Sequence, residues 1–132
     1  MSAAQSETSG VAGRYATALF ELAVGSDAID SVAADLAQTQ SMIDESADLR
    51  RLIRSPLFSR AQQSAAMDAV LAGAGLSELV RNFVGVVAQN RRLFALEGMI
   101  VAYRELVAKH RGEVTAEVIS ATPLSESQRI AF

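Results

Sequence analysis

Five breaks cut residues 10–110 into six stretches, and within each stretch the apolar residues recur at helical spacing. Gly25-Ser26 makes the first break, and the second falls just before a short stretch at 46–54. Ser55-Pro56 makes the third, Gly73-Ala74-Gly75 the fourth and Asn90-Arg91 the fifth. Short segments of this kind, joined by loops of a few residues, can bury their apolar faces only against one another. The expected fold is therefore all-α, a compact six-helix bundle. Composition agrees: half of the 132 residues are hydrophobic, aromatics are 5% and prolines number two. An alanine- and leucine-rich chain with those proportions favours helix over sheet.

The break chemistry is local. Ser26 is expected to cap the second helix, with Asp27 and Asp30 near its positive end. Pro56 ends the third helix, because the residue before proline disfavours helical geometry. Ser59 with Gln62 spells a capping box for the fourth. Ser77 followed by Glu78 opens the fifth, which runs to about Asn90, and the sixth covers about 92–110. Residues 1–9 are polar and read as a flexible tail with no apolar signal-peptide region.

After Gly112 the period changes to two: Val114, Ala116 and Val118 alternate with Thr115, Glu117 and Ile119. This predicts a strand over about 113–120, and Pro123-Leu124-Ser125 predicts the start of another helix. A lone strand needs a sheet. The expected organisation is a tail at 1–9, a helical domain at 10–111, and at 112–132 a linker with the first strand and helix start of a truncated α/β domain.

Composition and charge exclude several function classes. The net charge is −3 and the pI near 5.1, whereas nonspecific nucleic-acid binding needs a basic face. With no cysteine and one histidine, a metal centre lacks its usual ligands. His110 sits between Lys109 and Arg111 where the sixth helix is expected to end, and its expected role is to meet the helix's negative terminus. Asp27, Asp30 and Asp35 read as a solvated face. No arrangement of residues suggests catalysis, so no catalytic residue, metal or cofactor is expected. Arg50, Arg51, Arg54 and Arg60 form a local basic cluster, the sole support for an alternative reading as a small helical RNA-binding domain of the antitermination-factor type. Arg91 and Arg92 are expected to serve the end of the fifth helix or to ion-pair across the junction.

The first and fifth helices carry more apolar surface than one buried stripe requires. On the first, Val11, Tyr15, Ala18, Leu19, Phe20, Leu22 and Ala23 leave only Arg14, Thr17 and Glu21 as a polar stripe. On the fifth, Leu79, Val80, Phe83, Val84, Val86, Val87 and Ala88 spread over half the circumference or more. Such width fits either central helices of the bundle or a groove for another helix.

In order and spacing, the chain resembles the delta subunit of bacterial ATP synthase, whose mitochondrial counterpart is the oligomycin sensitivity-conferring protein. Arg14-Tyr15-Ala16 with Ala18-Leu19-Phe20 resembles the family's RYAxALF segment, Ser55-Pro56 its SP turn, and Asn82-Phe83 with Asn90-Arg91-Arg92-Leu93 its NF…NRRL segment. Gly112, Val114, Ala116, Val118, Ser120, Ala121, Pro123 and Leu124 resemble its RGxVxAxVxSAxPL stretch. The resemblance implies a non-catalytic stator subunit at the cytoplasmic face of the bacterial inner membrane. It implies that the first and fifth helices hold the N-terminal helix of an alpha subunit of the catalytic head, and that a C-terminal α/β domain meets the b subunits of the peripheral stalk. The residues expected to contact the alpha helix are Tyr15, Ala18, Leu19, Leu22, Phe83, Val86, Val87 and Asn90. The chain lacks the family's glycine-rich C-terminal hairpin region, which puts its own contact with the b subunits in doubt.

Overall fold

The computed structural model of the chain describes residues 3–131, with side chains described over 10–116. The order is α1 (Ala3–Gly25), α2 (Ile29–Glu45), α3 (Ala47–Arg54), α4 (Arg60–Gly73), α5 (Glu78–Gln89), a 3₁₀ turn (Leu93–Ala95) and α6 (Leu96–Ala131). The six helices expected from the breaks are all present.

Side-chain caps set three of the starts. Ser46 accepts from Leu49 N–H at 3.1 Å, and Ser77 accepts from Val80 N–H at 3.4 Å. Ser59 and Gln62 satisfy each other's backbone donors at 3.1 and 2.8 Å, closing the capping box read from the sequence. Ser26 does not cap α2. The residue before α2 is Ala28, with no side-chain cap, and Ser26 instead continues the last turn of α1 by donating to Leu22 C=O. The reason is a Schellman closure: Asp27 takes φ +52°, Asp27 N–H bonds Val24 C=O and Ala28 N–H bonds Ala23 C=O. The same pattern closes α4 at Gly75 (φ +76°) and α5 at Arg91 (φ +57°). Only Gly75 is free of the Cβ penalty there.

Two expected boundaries differ. Residues 3–9 belong to α1 rather than to a tail, since Ala3, Ala4 and Gln5 favour helix and no proline precedes Ser9. The strand expected over 113–120, and the separate helix start at Pro123–Ser125, fall inside α6. A strand satisfies its backbone only across a ladder, and no other strand lies among the described residues. A helix pairs its N–H groups four residues back in the same segment and needs no ladder, against interior costs of about 1 kcal/mol at Gly112 and about 3 kcal/mol at Pro123 relative to alanine.

The core is built from one stripe per helix. On α1 it is Ala12, Ala16, Leu19 and Ala23; on α6 it is Leu96, Met99, Ile100, Tyr103 and Val107. These two helices form the most extensive packing in the bundle, and α4 packs against α5. Small side chains allow the close approach of α1 to α6: a Cβ added at Gly98 would sit 3.3 Å from Ala12 Cβ. The buried polar groups are satisfied. Thr39 Oγ1 donates to Asp35 C=O at 2.8 Å, and Gln63 Nε2 donates to Leu52 C=O at 3.1 Å.

Tyr103 ties α6 to the start of α2, its hydroxyl donating to Ile29 C=O at 2.8 Å. Burial, assisted by the nearby Asp30 carboxylate and opposed by Arg111, pushes its pKa up to about 12. An unfolded tyrosine titrates near 10. The folded phenol resists ionisation, so its contribution is complete below pH 10 and is lost as pH rises from 10 toward 12. Tyr103→Phe is expected to cost about 1 kcal/mol at neutral pH through the lost hydrogen bond, the Ile29 carbonyl keeping its helical partner, and to flatten the alkaline decline. Urea melts of both chains from pH 8 to 11.5 check this; equal alkaline slopes would remove Tyr103 as the cause.

Candidate functional site

Helical spacing puts Tyr15, Ala18 and Leu22 on one face of α1, and Phe83, Val86 and Asn90 on one face of α5. A polar and an aromatic contact join the two faces. Asn90 Nδ2 donates to the Tyr15 hydroxyl at 2.9 Å, and the Tyr15 and Phe83 rings meet edge-on with centroids 6.5 Å apart. Tyr15 is half-buried, packed against the core, and Asn90 is exposed. The seam therefore has an apolar floor and polar atoms at its surface.

The eight residues expected at this seam divide cleanly. Leu22 is 58% exposed and Val86 54%, and Ala18 and Asn90 are exposed as well. Leu19 and Val87 are at 0% and Phe83 at 9%, all inside the core. Leu19 and Val87 hold the bundle together; Phe83 supports Tyr15 from below. Each apolar arc is therefore divided, with Leu19 and Val87 turned inward and Leu22 and Val86 turned to solvent.

On its other side, the exposed ridge of α5 borders a cleft against α4, lined by Ser64, Asp68, Arg81, Asn82, Gly85 and Gln89 besides Val86 and Asn90. Arg81 grips Asp68 with two parallel bonds, Nε–Oδ1 at 3.0 Å and Nη2–Oδ2 at 3.1 Å. That hydrogen bonding holds the Asp68 carboxyl below the usual carboxylate range. The sequence offered no sign of this pair, which joins residues on different helices. Asn82, Gln89 and Asn90 put hydrogen-bonding groups along this cleft beside Val86, although most of its exposed lining is apolar.

The other candidates have structural employment. Arg50 Nη1 donates to Ile43 and Asp44 carbonyls at 2.8 and 2.7 Å, covering the end of α2. Arg51 pairs with Asp48 and Arg54 with Glu97. Three arginines of the four-residue basic cluster thus have partners in the fold. Arg91 does not ion-pair across its junction; it donates to Phe58 C=O at 2.7 Å and Gln63 Oε1 at 3.2 Å, stapling the α3–α4 loop. His110 lies inside α6 rather than at its end and packs edge-on against Phe20. Asp35 accepts from Ser77 N–H at the start of α5, and Asp30 pairs with Arg111. No group of side chains suited to hold a metal occurs among the described residues.

The family described as ATP synthase delta (OSCP) subunit matches residues 11–132. The chain belongs to that family. It is 58% identical to ATP synthase subunit delta of Parvibaculum lavamentivorans, over 91% of this chain and 62% of that relative. It is 59% identical to the subunit of the same name from Rhodospirillum centenum, over 91% and 64%. The relative from Rhodospirillum rubrum is 51% identical over the whole chain and 71% of its own length. The chain thus spans somewhat under two thirds of the length of the first two. Among solved structures, a chain in the cryo-EM structure of the Polytomella F-ATP synthase, focused on the F1 head and rotor, superposes with a TM-score of 0.70 at 27% identity. That superposition covers 76% of this chain and 88% of the other. Two segments singled out in the sequence thereby acquire structural reasons within this delta-family chain: Tyr15 of the RYA segment and Asn90 of the NRRL segment are bonded to each other, and Arg91 fixes the loop that follows Ser55-Pro56.

Proposed function

We propose that this chain is a non-catalytic stator component of a proton-translocating ATP synthase, and that its bundle, residues 10–111, binds the N-terminal helix of an alpha subunit along α1 and α5. The carrying observation is the exposed apolar pair Leu22 and Val86 on helix faces joined by Tyr15, Phe83 and Asn90. A durable grip needs an apolar centre that excludes water, with polar groups fixing register. Ala18, Leu22 and Val86 supply the first; Tyr15, Asn82, Gln89 and Asn90 supply the second. Tyr15 and Phe83 are pinned before any partner arrives, which lowers the ordering cost of association.

The physical task is resistance to rotation. A turning rotor drags the catalytic head with it unless the head is tied to a fixed element. A helix laid lengthwise in a seam spreads shear over many side chains. In this reading the b subunits of the peripheral stalk are met through the family's C-terminal domain, and the assembly sits at the cytoplasmic face of the membrane. No helix among the described residues is long and apolar enough to cross a membrane, which fits attachment through partners.

Isothermal titration of the chain with a synthetic alpha-subunit N-terminal peptide tests the proposal. Saturable one-to-one binding with negative ΔCp is expected, and a scrambled peptide of the same composition should not bind. Equal binding of both peptides, or of neither, would sink it.

A further inference from the structure

A second exposed apolar feature lies where α3 ends and the 3₁₀ turn begins. A cleft of about 150 Å³ is walled there by Ile53, Pro56, Leu93 and Phe94, with Arg54 and Arg91 at its sides. Phe94 is 52% exposed and Leu57, on the loop beside Pro56, is 89% exposed. Leu57 is not a loose loop tip. Its N–H is held by Ser55 Oγ at 3.2 Å, and the carbonyl of the next residue, Phe58, is held by Arg91. The fold presents this leucine to solvent in a fixed position, although neither leucine nor phenylalanine gains anything from water.

Charge at the rim indicates what covers it. Arg54 is neutralised by Glu97 at 2.8 Å. Among the described residues, no carboxylate lies within ion-pair distance of Arg60, Arg91 or Arg92. Arg60 opens α4 directly after the Leu57 loop, and Arg91 and Arg92 lead into the turn that carries Phe94. Arg91 therefore lines the cleft with its charge unmatched by a carboxylate while its Nη1 is held by Phe58 C=O and Gln63 Oε1, and Arg60 and Arg92 stand, exposed, on the two chain segments that flank it, in a chain whose net charge is −3.

We propose that this cleft is a second docking surface, separate from the α1–α5 seam, for an acidic peptide segment of a partner protein. One large apolar side chain of that segment packs beside Phe94 and Leu57, and its carboxylates meet Arg60, Arg91 and Arg92. A nucleic acid fits less well. It needs a continuous basic track with successive stacking faces, and the cleft offers one exposed aromatic ring and room for a single side chain. The inference does not depend on what the α1–α5 seam binds.

Amide chemical shifts of the 132-residue chain, followed by two-dimensional NMR, provide the test. The probe is a capped hexapeptide of two leucines flanked by four glutamates. Controls are the same peptide with lysines for glutamates, and hexauridylate. Expected are saturable shifts confined to residues 55–60 and 91–94, weakening as salt is raised. Leu57→Ser and Arg60→Glu, both at exposed positions, should each weaken binding about tenfold while leaving the thermal melt in place. Val86→Asp should leave it unchanged. Shifts centred elsewhere, equal shifts with the lysine peptide or hexauridylate, or full affinity in Leu57→Ser would each overturn the proposal.

Discussion

Leu22→Asp and Val86→Asp, made separately, are each expected to weaken binding of the alpha-subunit N-terminal peptide by about 100-fold or more, roughly 2.7 kcal/mol, with the bundle still folded. Leu22 and Val86 are more than half exposed, so a carboxylate at either position stays hydrated in the free protein. Surface changes of this kind usually move stability by within about 0.5 kcal/mol. In the complex the same carboxylate would be pressed against an apolar helix face with no cation assigned to it, and a desolvated unpaired charge is expensive. The two effects separate cleanly: melting midpoints hold while titration heats vanish. Val101→Asp supplies the control, since Val101 is equally exposed, at 50%, but lies on α6 away from the seam. If Leu22→Asp and Val86→Asp bind like the parent chain, or if Val101→Asp is as damaging as they are, the seam is not where the helix docks.

How far such residues could be read from sequence depends on the range of the physics that places them. Ser59 and Ser77 cap helices through donors three residues away, and the starts of α4 and α5 were legible for that reason; Ser46 caps α3 in the same way without having been singled out. The start of α2 was misread because Asp27 in a left-handed conformation belongs to the closure of α1, and aspartate does not announce that conformation as glycine does. The region after Gly112 was misread for a different reason. An alternating pattern is necessary for a half-buried strand but not sufficient, and with no ladder partner among the described residues the helix satisfies the same backbone. The seam itself was only half legible. That α1 and α5 carry excess apolar surface is a one-dimensional property. That Tyr15 meets Asn90, 75 residues away, is not. The wide arc on α1 also gives no internal sign that Leu19 faces inward and Leu22 outward; that is set by the direction from which α6 packs. Gly98, the small residue that admits Ala12, gave no signal either.

Leu19→Ala is the complementary experiment, and the expected result is the reverse of that for Leu22→Asp. Leu19 is fully buried on the α1 stripe that faces α6. Its truncation removes apolar contacts and leaves a cavity between backbones already held close by Ala12, Ala16 and Gly98, which cannot collapse further without lifting the whole helix. The expected loss is about 2–5 kcal/mol. A single domain has about 5–15 kcal/mol in total, so most molecules remain folded at 25 °C and the change is readable as a lower urea midpoint at constant slope. The folded fraction presents Tyr15, Leu22, Val86 and Asn90 unchanged and should bind the alpha peptide within about threefold of the parent, a difference near 0.6 kcal/mol. Ligand excess should restore part of the lost midpoint, because binding acts on the native state alone. If Leu19→Ala instead loses affinity while keeping its urea midpoint, Leu19 faces the partner and the inward register of α1 is wrong. Stability and affinity are thus assigned to residues three positions apart on one helix, and urea melts and titrations on the same two variants test that assignment.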